Sequence, residues 1–278
     1  MHGEFALCDQ KFANRKVILN MKKFLSLLLV AMLAFSLVAC TTVSDVDNGA
    51  DDKKAEEKVE VIKMGTNAAF PPYEYKEGDE FVGIDVEIAE AIAEKLGMKL
   101  EIVDMEFDSI ITAVNQGEVD FGMAGMTVTD ERLEEVDFTL SYATGVQVVI
   151  VPEGSAIKSL DDLTGKKIGV QLGTTGDIYA SDEFGSENVI QYGKGADAVI
   201  ALKGGDVDAV IIDNEPAKAF VSENGGLEIL ATEYAIEDYA IAVKKENTDL
   251  LDKINAALEE LTADGTIDEI ISKYISAE

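Results

Sequence analysis

The sequence predicts an α/β protein made of two similar lobes, each a sheet flanked by helices, with two extended segments that cross between them. Three observations indicate this fold class. Short apolar strands alternate with amphipathic helices along most of the chain, which is typical of a parallel sheet whose faces are covered. A helix–glycine–strand pattern occurs twice, and extended apolar segments border the middle of the chain on both sides.

The first strands and the first helix follow from residue patterns near the start of the folded part. "VIKMG", residues 61–65, predicts a short strand, and the pair Pro71 and Pro72 forces a turn after it. In "GIDVEIAEAIAEKLG", large apolar residues recur every four positions, which predicts an amphipathic helix that ends at Gly97. The following "KLEIVDM", residues 99–105, predicts the next strand.

The repeated pattern is the most informative feature of the chain. "AVNQGEVDFGMAGMT" and "ALKGGDVDAVIIDNE" each contain a helix end, a glycine, an acid, Val-Asp and a short apolar strand. Aligning Gly117 with Gly205 places Gly125 opposite Asp213, at the carboxyl ends of two buried strands. In open α/β sheets, ligands bind beyond those ends. The repeat therefore predicts two lobes whose strand ends face one another, although helix–glycine–strand is also ordinary α/β architecture.

Two extended apolar segments, "YATGVQVVIVPEG" and "DYAIAVKKE", lie on either side of the middle block. If they lie side by side, the chain crosses from the first lobe to the second and later returns. Apolar stripes with helical spacing near the C-terminal end then complete the first lobe. We therefore expect lobe 1 to comprise residues 59–147 and 243–278, and lobe 2 to comprise residues 148–242.

Residues 1–39 predict a secretory signal peptide. Two lysines precede an apolar run at residues 24–38, and small residues follow before Cys40. The run is shorter than the roughly 20 residues that a helix needs to cross a bilayer. If Met21 is the true start of the protein, residues 1–20 are an upstream extension.

"LVAC", residues 37–40, resembles the bacterial lipobox. The resemblance implies cleavage before Cys40 and diacylglyceryl attachment to its sulfur, and stable anchoring needs at least two acyl chains. Residues 40–58 carry many charges and few large apolar side chains, so we expect a flexible tether. The expected location is therefore extracytoplasmic, with a lipid anchor on the outer face of the cell membrane.

The composition excludes several partners and functions. Without residues 1–39, the chain keeps 18 basic and 52 acidic residues, a formal net charge of about −34. Such a surface repels phosphate backbones, so nucleic acid is not an expected partner. Cys40 would be the only cysteine, which excludes a disulfide framework and a thiolate metal site. We expect a monomer without a cofactor.

The segment "GKKIGVQLGTTGDIYA" contains a strand that ends at Val170, a "GTTG" turn and a helix expected to start near Asp177. Backbone N–H groups at such a helix start form an anion site. A nucleotide-binding P-loop would need a lysine followed by Ser or Thr after its second glycine, and none is present. The segment therefore indicates either a site for a small anion or an ordinary turn.

The stretch "FGMAGMTVTDERLEEVDFT" carries Arg132, the only arginine after Arg15. Its planar guanidinium could bind both oxygens of a ligand carboxylate, a geometry that lysine cannot match. Alternatively, the arginine pairs with one of the neighbouring acids on a surface helix, namely Asp130, Glu131 or Glu135. The residues alone leave both interpretations open.

Five stretches taken together resemble a known family. "GTNAAFPPYEY", "GIDVEIAEAIAEKLG", "AGMTVTDER", "VDFTLSYATG" and "GKKIGVQLGTT" are similar, in order and spacing, to the polar amino-acid-binding proteins of ABC importers. These are solute-binding proteins of family 3, of the glutamine, histidine and arginine type. The resemblance extends from about Val61 to the end of the chain. It implies a type II periplasmic-binding-protein-like fold, in which two α/β lobes joined by two hinge strands close around a ligand.

The resemblance also implies roles for residues around the predicted cleft. In the family, the arginine of the T-x-T-x-x-R segment holds the α-carboxylate of the ligand, and here that arginine is Arg132. Thr127 and Thr175 would assist it. Asp213 would receive the α-ammonium, together with the Gly125 carbonyl and the Thr127 hydroxyl. Asp213 could also cap the helix that starts with "NEPAKAF".

Five further positions imply a pocket for the ligand's side chain. Phe70 and Phe107 correspond to rings that hold this side chain in the family, whereas an isolated phenylalanine is more often a core residue. Asn67 stands where the family's binders of basic ligands commonly carry an aspartate, and Gln171 also lies where selectivity is set. These amides favour an uncharged polar ligand, such as glutamine or cystine, although Glu74 could supply a negative charge.

The expected function is capture of a free amino acid and its delivery to the permease of an ABC importer. One alternative is an enzyme, since related sequences include dehydratases on the same fold, and another is an amino-acid sensor component. The only histidine is His2, so a histidine base is excluded, and no thiol remains apart from Cys40. We therefore expect no enzymatic activity.

Overall fold

The computed structural model describes residues 59–231 and 233–276. The predictions of a signal peptide, of lipid attachment at Cys40 and of a tether to residue 58 concern residues outside these ranges. Within the ranges, no helix combines the length and the apolar character that a membrane span requires.

In the described ranges, fourteen strands form three sheets, and eight α-helices alternate with them. In chain order the strands are β1 (Val61–Thr66), β2 (Ala69–Phe70), β3 (Glu74–Glu77), β4 (Glu80–Val82), β5 (Lys99–Asp104), β6 (Phe121–Gly122), β7 (Val136–Phe138), β8 (Ala143–Pro152), β9 (Ile168–Gln171), β10 (Val189–Tyr192), β11 (Ala209–Asp213), β12 (Leu227–Ile229), β13 (Ala235–Tyr239) and β14 (Ala242–Lys244). The helices are α1 (Ile84–Lys95), α2 (Ile110–Gln116), α3 (Asp130–Glu135), α4 (Thr175–Phe184), α5 (Gly195–Gly204), α6 (Asn214–Asn224), α7 (Thr248–Ala263) and α8 (Thr266–Tyr274). The α/β class predicted from the sequence is therefore confirmed.

The first helix forms as its apolar stripe predicts. Ile84, Ile88 and Ile92 of α1 are at most 1% exposed and belong to the core beside the first sheet. Gly97 follows the helix with φ of +68°, a backbone conformation that favours glycine. The C-terminal helices α7 and α8 pack against α1, so both ends of the described chain contribute to this part of the molecule.

The first sheet has the strand order β5-β1-β6-β14-β7. β1 pairs in parallel with β5 and β6, as the alternation of strands and helices predicts. β14 comes from the returning chain and pairs antiparallel with β6 and β7. The sheet is therefore mixed, and not parallel throughout, because the returning chain enters it in the opposite direction.

The second sheet has the order β10-β9-β11-β8-β12 and repeats the arrangement of the first. β9 pairs in parallel with β10 and β11, as β1 does with β5 and β6, and β8 supplies the antiparallel neighbour of β11. Gly117 and Gly205 have φ of +74° and +78°, and each ends the helix before the equivalent strand. The repeat in the sequence thus corresponds to two equivalent units of structure.

The two extended segments lie side by side over a short stretch only. Of the second segment, Asp238 and Tyr239 belong to β13 and pair with β8, whereas residues 242–244 form β14 in the first sheet. β8 and β13 pair antiparallel, from Ala143 opposite Tyr239 to Gln147 opposite Ala235. Just before this pairing, the Tyr142 amide donates a hydrogen bond to the Tyr239 carbonyl at 3.0 Å. β8 runs without a break across the lobe boundary that we placed after residue 147, so the exact limits of the lobes stay a prediction.

Candidate functional site

Strand ends and helix starts from both sheets border a cavity of about 310 Å³. Its lining residues are Asn67, Phe70, Glu74, Phe107, Ala124, Gly125, Thr127, Arg132, Gln171, Thr174, Thr175 and Asp213. All ten residues that the sequence analysis assigned to a ligand site are in this set, while Ala124 and Thr174 are additional. The fold brings the ten predicted residues together around one cavity, and the binding roles assigned to them stay predictions.

Arg132 lies near the start of α3, and only 7% of the residue is exposed. Thr129 caps this helix by accepting a hydrogen bond from the Arg132 amide, 3.2 Å away. The side chain donates from Nη1 to the Thr127 carbonyl at 2.6 Å and from Nη2 to the Gly173 carbonyl at 3.1 Å. Its guanidinium carbon lies 5.3 Å from the centre of the Phe107 ring, within the range of a cation–π contact.

The alternative interpretation of this arginine as a surface residue is wrong. The side chain is buried and bonds to carbonyl groups, and within the described ranges it forms no ion pair with Asp130, Glu131 or Glu135. Burial lowers the pKa of the Arg132 guanidinium, while the negative charge of Glu237 opposes this change. A guanidinium has five N–H donors, so donors remain for a ligand.

Asp213 ends β11 and is 7% exposed. It occupies the N-cap position of α6, but its side chain forms no capping hydrogen bond. Instead, its Oδ1 accepts a hydrogen bond from the Tyr239 hydroxyl. Burial raises the pKa of Asp213 to about 7, with the Tyr239 hydrogen bond acting against this shift and the charge of Glu237 in the same direction. The capping interpretation is therefore wrong for this side chain, which borders the cavity.

The helix after the "GTTG" turn begins at Thr175, not near Asp177 as expected. Thr174 is the N-cap, and its hydroxyl oxygen accepts a hydrogen bond from the Asp177 amide at 3.3 Å. The Thr175 hydroxyl donates to Glu237 Oε2 at 3.0 Å. The hydroxyl is thus already engaged, whereas the Thr175 amide belongs to the first helical turn, whose N–H groups have no acceptor within the helix.

Two residues of the crossing segments were missed by the sequence analysis. Glu237 on β13 is 5% exposed and accepts hydrogen bonds from Thr175 and from Gln147 Nε2, each at 3.0 Å. Gln147 on β8 is 1% exposed. Gln147 is the polar exception in the otherwise apolar segment of β8, and this exception was an available signal. Glu237 precedes the second apolar segment and is followed by Asp238, so no comparable signal marked it.

A second missed group lies behind the Gly125 turn. Asp85, in the first turn of α1, is fully buried, and its Oδ2 accepts hydrogen bonds from the Gly125 amide and the Tyr142 hydroxyl, both at 2.8 Å. Burial raises the pKa of Asp85 to about 6, against the effect of these hydrogen bonds. An acid at a helix start normally indicates only a favourable interaction with the helix dipole, so no residue pattern predicted that Asp85 would be buried behind the Gly125 turn.

The predicted side-chain pocket has a neutral wall and an aromatic wall. Gln171 donates from Nε2 to Asn67 Oδ1 at 3.1 Å, and Asn67 donates from Nδ2 to the Met105 carbonyl at 2.7 Å. Phe107 lies against Arg132, and Phe70 stacks on Tyr73. Among the described residues, no group of three or more His, Cys, Asp or Glu side chains could hold a metal ion.

Comparison with known proteins identifies the family. The bacterial extracellular solute-binding proteins, family 3, match residues 62–277. The chain therefore belongs to this family, and it is an extracytoplasmic protein.

Individual relatives are binding proteins. The chain is 36% identical to the arginine-binding extracellular protein ArtP of Bacillus subtilis strain 168, over 93% of this chain and 100% of the relative. It is 33% identical to a probable histidine-binding protein of Campylobacter jejuni, over 91% and 99%. A solved structure titled an ancestral arginine-binding protein bound to glutamine is 43% identical, with a TM-score of 0.75 over 78% of this chain and 98% of that chain. These names support a non-enzymatic function and not the dehydratase-like alternative.

Proposed function

We propose that the protein captures a free polar amino acid between its two lobes and delivers it to the permease of an ABC importer. The observation that carries this proposal is a cavity bordered by an arginine beside the first sheet and an aspartate of the second, Arg132 and Asp213. Burying a zwitterion is costly unless each charge meets a partner of opposite sign. A cavity that offers both partners suits a free amino acid better than a neutral solute or a simple anion.

Arg132 is the proposed partner of the ligand's α-carboxylate. Its hydrogen bonds to the Thr127 and Gly173 carbonyls fix the plane of the guanidinium, and the remaining N–H groups can bond both carboxylate oxygens. The Thr175 amide, at the start of α4, adds a donor from the other lobe. The Thr127 hydroxyl borders the same cavity and completes the proposed carboxylate site.

Asp213 is the proposed partner of the α-ammonium, together with the Gly125 carbonyl and the Thr127 hydroxyl. Gly125 has φ of +52°, and a side chain there would meet the Phe70 ring at 3.0 Å. Glycine therefore allows the backbone to turn beside the ring, where its carbonyl is available as an acceptor for the ammonium.

Two hydrogen bonds already connect the lobes across the cleft. Arg132 donates to the Gly173 carbonyl, and Gln171 donates to Asn67. A ligand that contacts both lobes favours this closed arrangement over an open one through its differential contacts. The paired crossing segments β8 and β13 are the proposed hinge.

The amides of Asn67 and Gln171 support an uncharged polar side chain, such as that of glutamine or cystine, because they provide no counter-charge for a cation. Relatives named for arginine and histidine add basic candidates, and Glu74 borders the same cavity. The ligand panel therefore includes neutral and basic amino acids.

A thermal-unfolding panel of the twenty amino acids, cystine and ornithine tests the proposal. A ligand at a hundred times its Kd stabilises the folded state by about 2.7 kcal/mol, which raises the Tm of a domain of this size by roughly 5–10 °C. Acetate and methylamine each carry one of the two backbone charges, so they serve as controls and should give no comparable rise. Absence of a rise with every amino acid in the panel would overturn the proposal.

We further propose that residues 1–39 are removed, that Cys40 carries the lipid, and that residues 40–58 tether a monomer to the membrane. The "LVAC" motif and the charged composition after it support this. In bacteria grown with a labelled fatty acid, the parent protein should carry the label, and Cys40→Ser should not. An unlabelled parent protein in the medium would contradict the proposal.

A further inference from the structure

We propose that Glu74 and Asp85 share one proton at the edge of the cavity, and that a ligand with a cationic side chain displaces this proton whereas a neutral ligand leaves it in place. The cavity would then accept both kinds of side chain, with a different number of protons released for each. The inference rests on the proposed amino-acid binding and adds how the site responds to the charge of the ligand's side chain.

The two carboxyl groups are buried on neighbouring parts of the backbone. Glu74 is 1% exposed and Asp85 is 0% exposed, and the Asp85 amide donates to the carbonyl of Tyr73, the residue before Glu74, at 2.9 Å. Glu74 Oε2 and Asp85 Oδ1 are buried, and neither finds a hydrogen-bond partner in the described part of the chain. Two neighbouring carboxylates repel each other, whereas a proton on one of them gives the other a donor, so one shared proton would satisfy both orphaned oxygens.

The surroundings place that proton on Glu74. Asp85 already receives hydrogen bonds from the Gly125 amide and the Tyr142 hydroxyl at its other oxygen, and such bonds favour the ionised form. Glu74 has no comparable donors among the described residues. Burial, and then the charge of Asp85, raise the pKa of Glu74 well above its usual range.

No described cation neutralises this pair. The titratable groups shown to interact with it are an acid and two phenols, namely Asp213, Tyr73 and Tyr142. The one arginine of the cavity, Arg132, donates to two carbonyls and lies against Phe107. A cationic side chain of the ligand would therefore bring to the pair a positive charge that a neutral side chain lacks, in addition to the α-ammonium that all amino acids share.

Glu74 is placed to meet the ligand's side chain. It lines the cavity, and in the small antiparallel sheet it pairs directly with Phe70, a predicted side-chain contact. A guanidinium or ammonium group beside Glu74 favours the carboxylate, so the shared proton leaves to solvent as the ligand binds. A neutral amide can instead accept a hydrogen bond from the protonated group, and no proton is released.

Titration calorimetry of the full chain with arginine, lysine and glutamine at pH 8 tests the inference. Each ligand is measured in two buffers that differ in ionisation enthalpy, and the difference in heat gives the number of protons released. At pH 8 Asp213, with a pKa of about 7, is largely ionised, and its contribution is common to all three ligands. We expect arginine and lysine to release about one proton more than glutamine.

The variant Glu74→Gln isolates the pair, because its amide can donate to Asp85 as the protonated acid does but cannot lose a proton. We expect the difference in proton release between arginine and glutamine to disappear, and the ratio of arginine to glutamine affinity to fall about tenfold or more. Glu77→Gln is the matched control, since Glu77 is exposed on the same strand, and it should behave as the parent.

The possible failures are distinguishable. Three results would overturn the shared-proton inference and leave amino-acid binding intact. The first is equal proton release by arginine and glutamine in the parent, and the second is an unchanged difference in proton release between these ligands in Glu74→Gln. The third is binding of glutamine without any binding of arginine or lysine. No heat of binding with any amino acid of the panel would instead overturn the proposed function itself.

Discussion

At the scale of single residues, the surroundings of Arg132 explain why the acids next to it in the sequence do not neutralise it. Thr129 starts the helix, and this start places residue 132 on the buried side, against Phe107. Asp130 and Glu131 remain exposed on the other side of the same turn. The helical position therefore decides which charges meet, and the guanidinium faces the cavity.

Arg132→Ala should abolish most of the affinity for an amino acid. The substitution leaves the ligand's α-carboxylate buried without its partner, which costs roughly 2–5 kcal/mol of binding free energy. Arg132→Lys should recover only part of this loss, because an ammonium lacks the planar pair of donors. Titration calorimetry measures both, and Lys167→Ala, an exposed change, should leave the affinity unaltered. Full affinity in Arg132→Ala would contradict the proposal that Arg132 binds the ligand's α-carboxylate.

Asn67→Asp tests the neutral wall of the pocket. Aspartate can still accept the hydrogen bond from Gln171, but it loses the donor to the Met105 carbonyl and adds a negative charge. We expect the affinity for arginine relative to glutamine to rise on the order of tenfold, equivalent to about 1.4 kcal/mol. Competition binding measures this ratio. The control Asn247→Asp adds the same charge at an exposed helix start and should not change the ratio of arginine to glutamine affinity. An equal effect of both variants on this ratio would argue for a general charge effect.

At the scale of elements, two threonine caps position the groups that line the cavity. Thr129 starts α3 and Thr174 starts α4, and each accepts a hydrogen bond from the third residue after it. The strand–turn–helix order was predictable from glycines and apolar runs. The exact start of α4 was not, because Thr174 and Thr175 are adjacent and either could serve as the cap. The Thr175 hydroxyl instead contacts Glu237, which is distant in the sequence, and this tertiary contact distinguishes the two threonines.

The pairing of the crossing segments depends on Gly145 in β8. A methyl group there would overlap the ring and hydroxyl of Tyr239, which is fully buried and therefore has no free space to move into. We expect Gly145→Ala to lower the free energy of unfolding by about 1–3 kcal/mol. It should also weaken amino-acid binding, because the Tyr239 hydroxyl positions Asp213. Chemical denaturation and calorimetry measure the two effects.

The control for this prediction is Gly204→Ala, in α5. Its new methyl group would meet Asp206 Oδ2 at 3.5 Å, an ordinary contact, and alanine is the better helix former. This variant should be neutral or more stable by up to about 1 kcal/mol. If Gly145→Ala were as stable as Gly204→Ala, the Tyr239 contact would not restrict the crossing segments as described.

At the scale of the whole molecule, the sequence predicted the two units and their connection but not all of the polar network between them. Amphipathic spacing and the repeat are local signals, so they could be recognised along the chain. Glu237 meets Thr175 and Gln147, which are 62 and 90 positions away, only because β8 and β13 pair. Asp85 likewise meets Gly125 across 40 positions. Contacts of this kind arise from the assembled fold, and no local pattern encodes them.

The buried acids of the cavity should make stability depend on pH. Burial raises the pKa of Asp85 to about 6 and that of Asp213 to about 7, compared with about 3.9 for an unperturbed aspartate. At pH values between the unfolded-state pKa and these raised pKa values, the folded state binds more protons than the unfolded state. The corresponding stabilisation is fully present below about pH 4 and is lost as pH rises through 6 to 7.

For the ligand-free protein, we therefore expect the Tm to fall between about pH 5 and pH 8, by the equivalent of a few kcal/mol. A saturating amino acid should reduce this fall, because its ammonium favours the ionised form of Asp213 and lowers the pKa. Thermal unfolding at constant ionic strength measures both slopes. Asp213→Asn should flatten the ligand-free slope, whereas Asp252→Asn, an exposed change on α7, should not. A ligand-free Tm that rises with pH over this interval would contradict the presence of protonated acids beside the cavity, because acids ionised in both the folded and the unfolded state give no slope there.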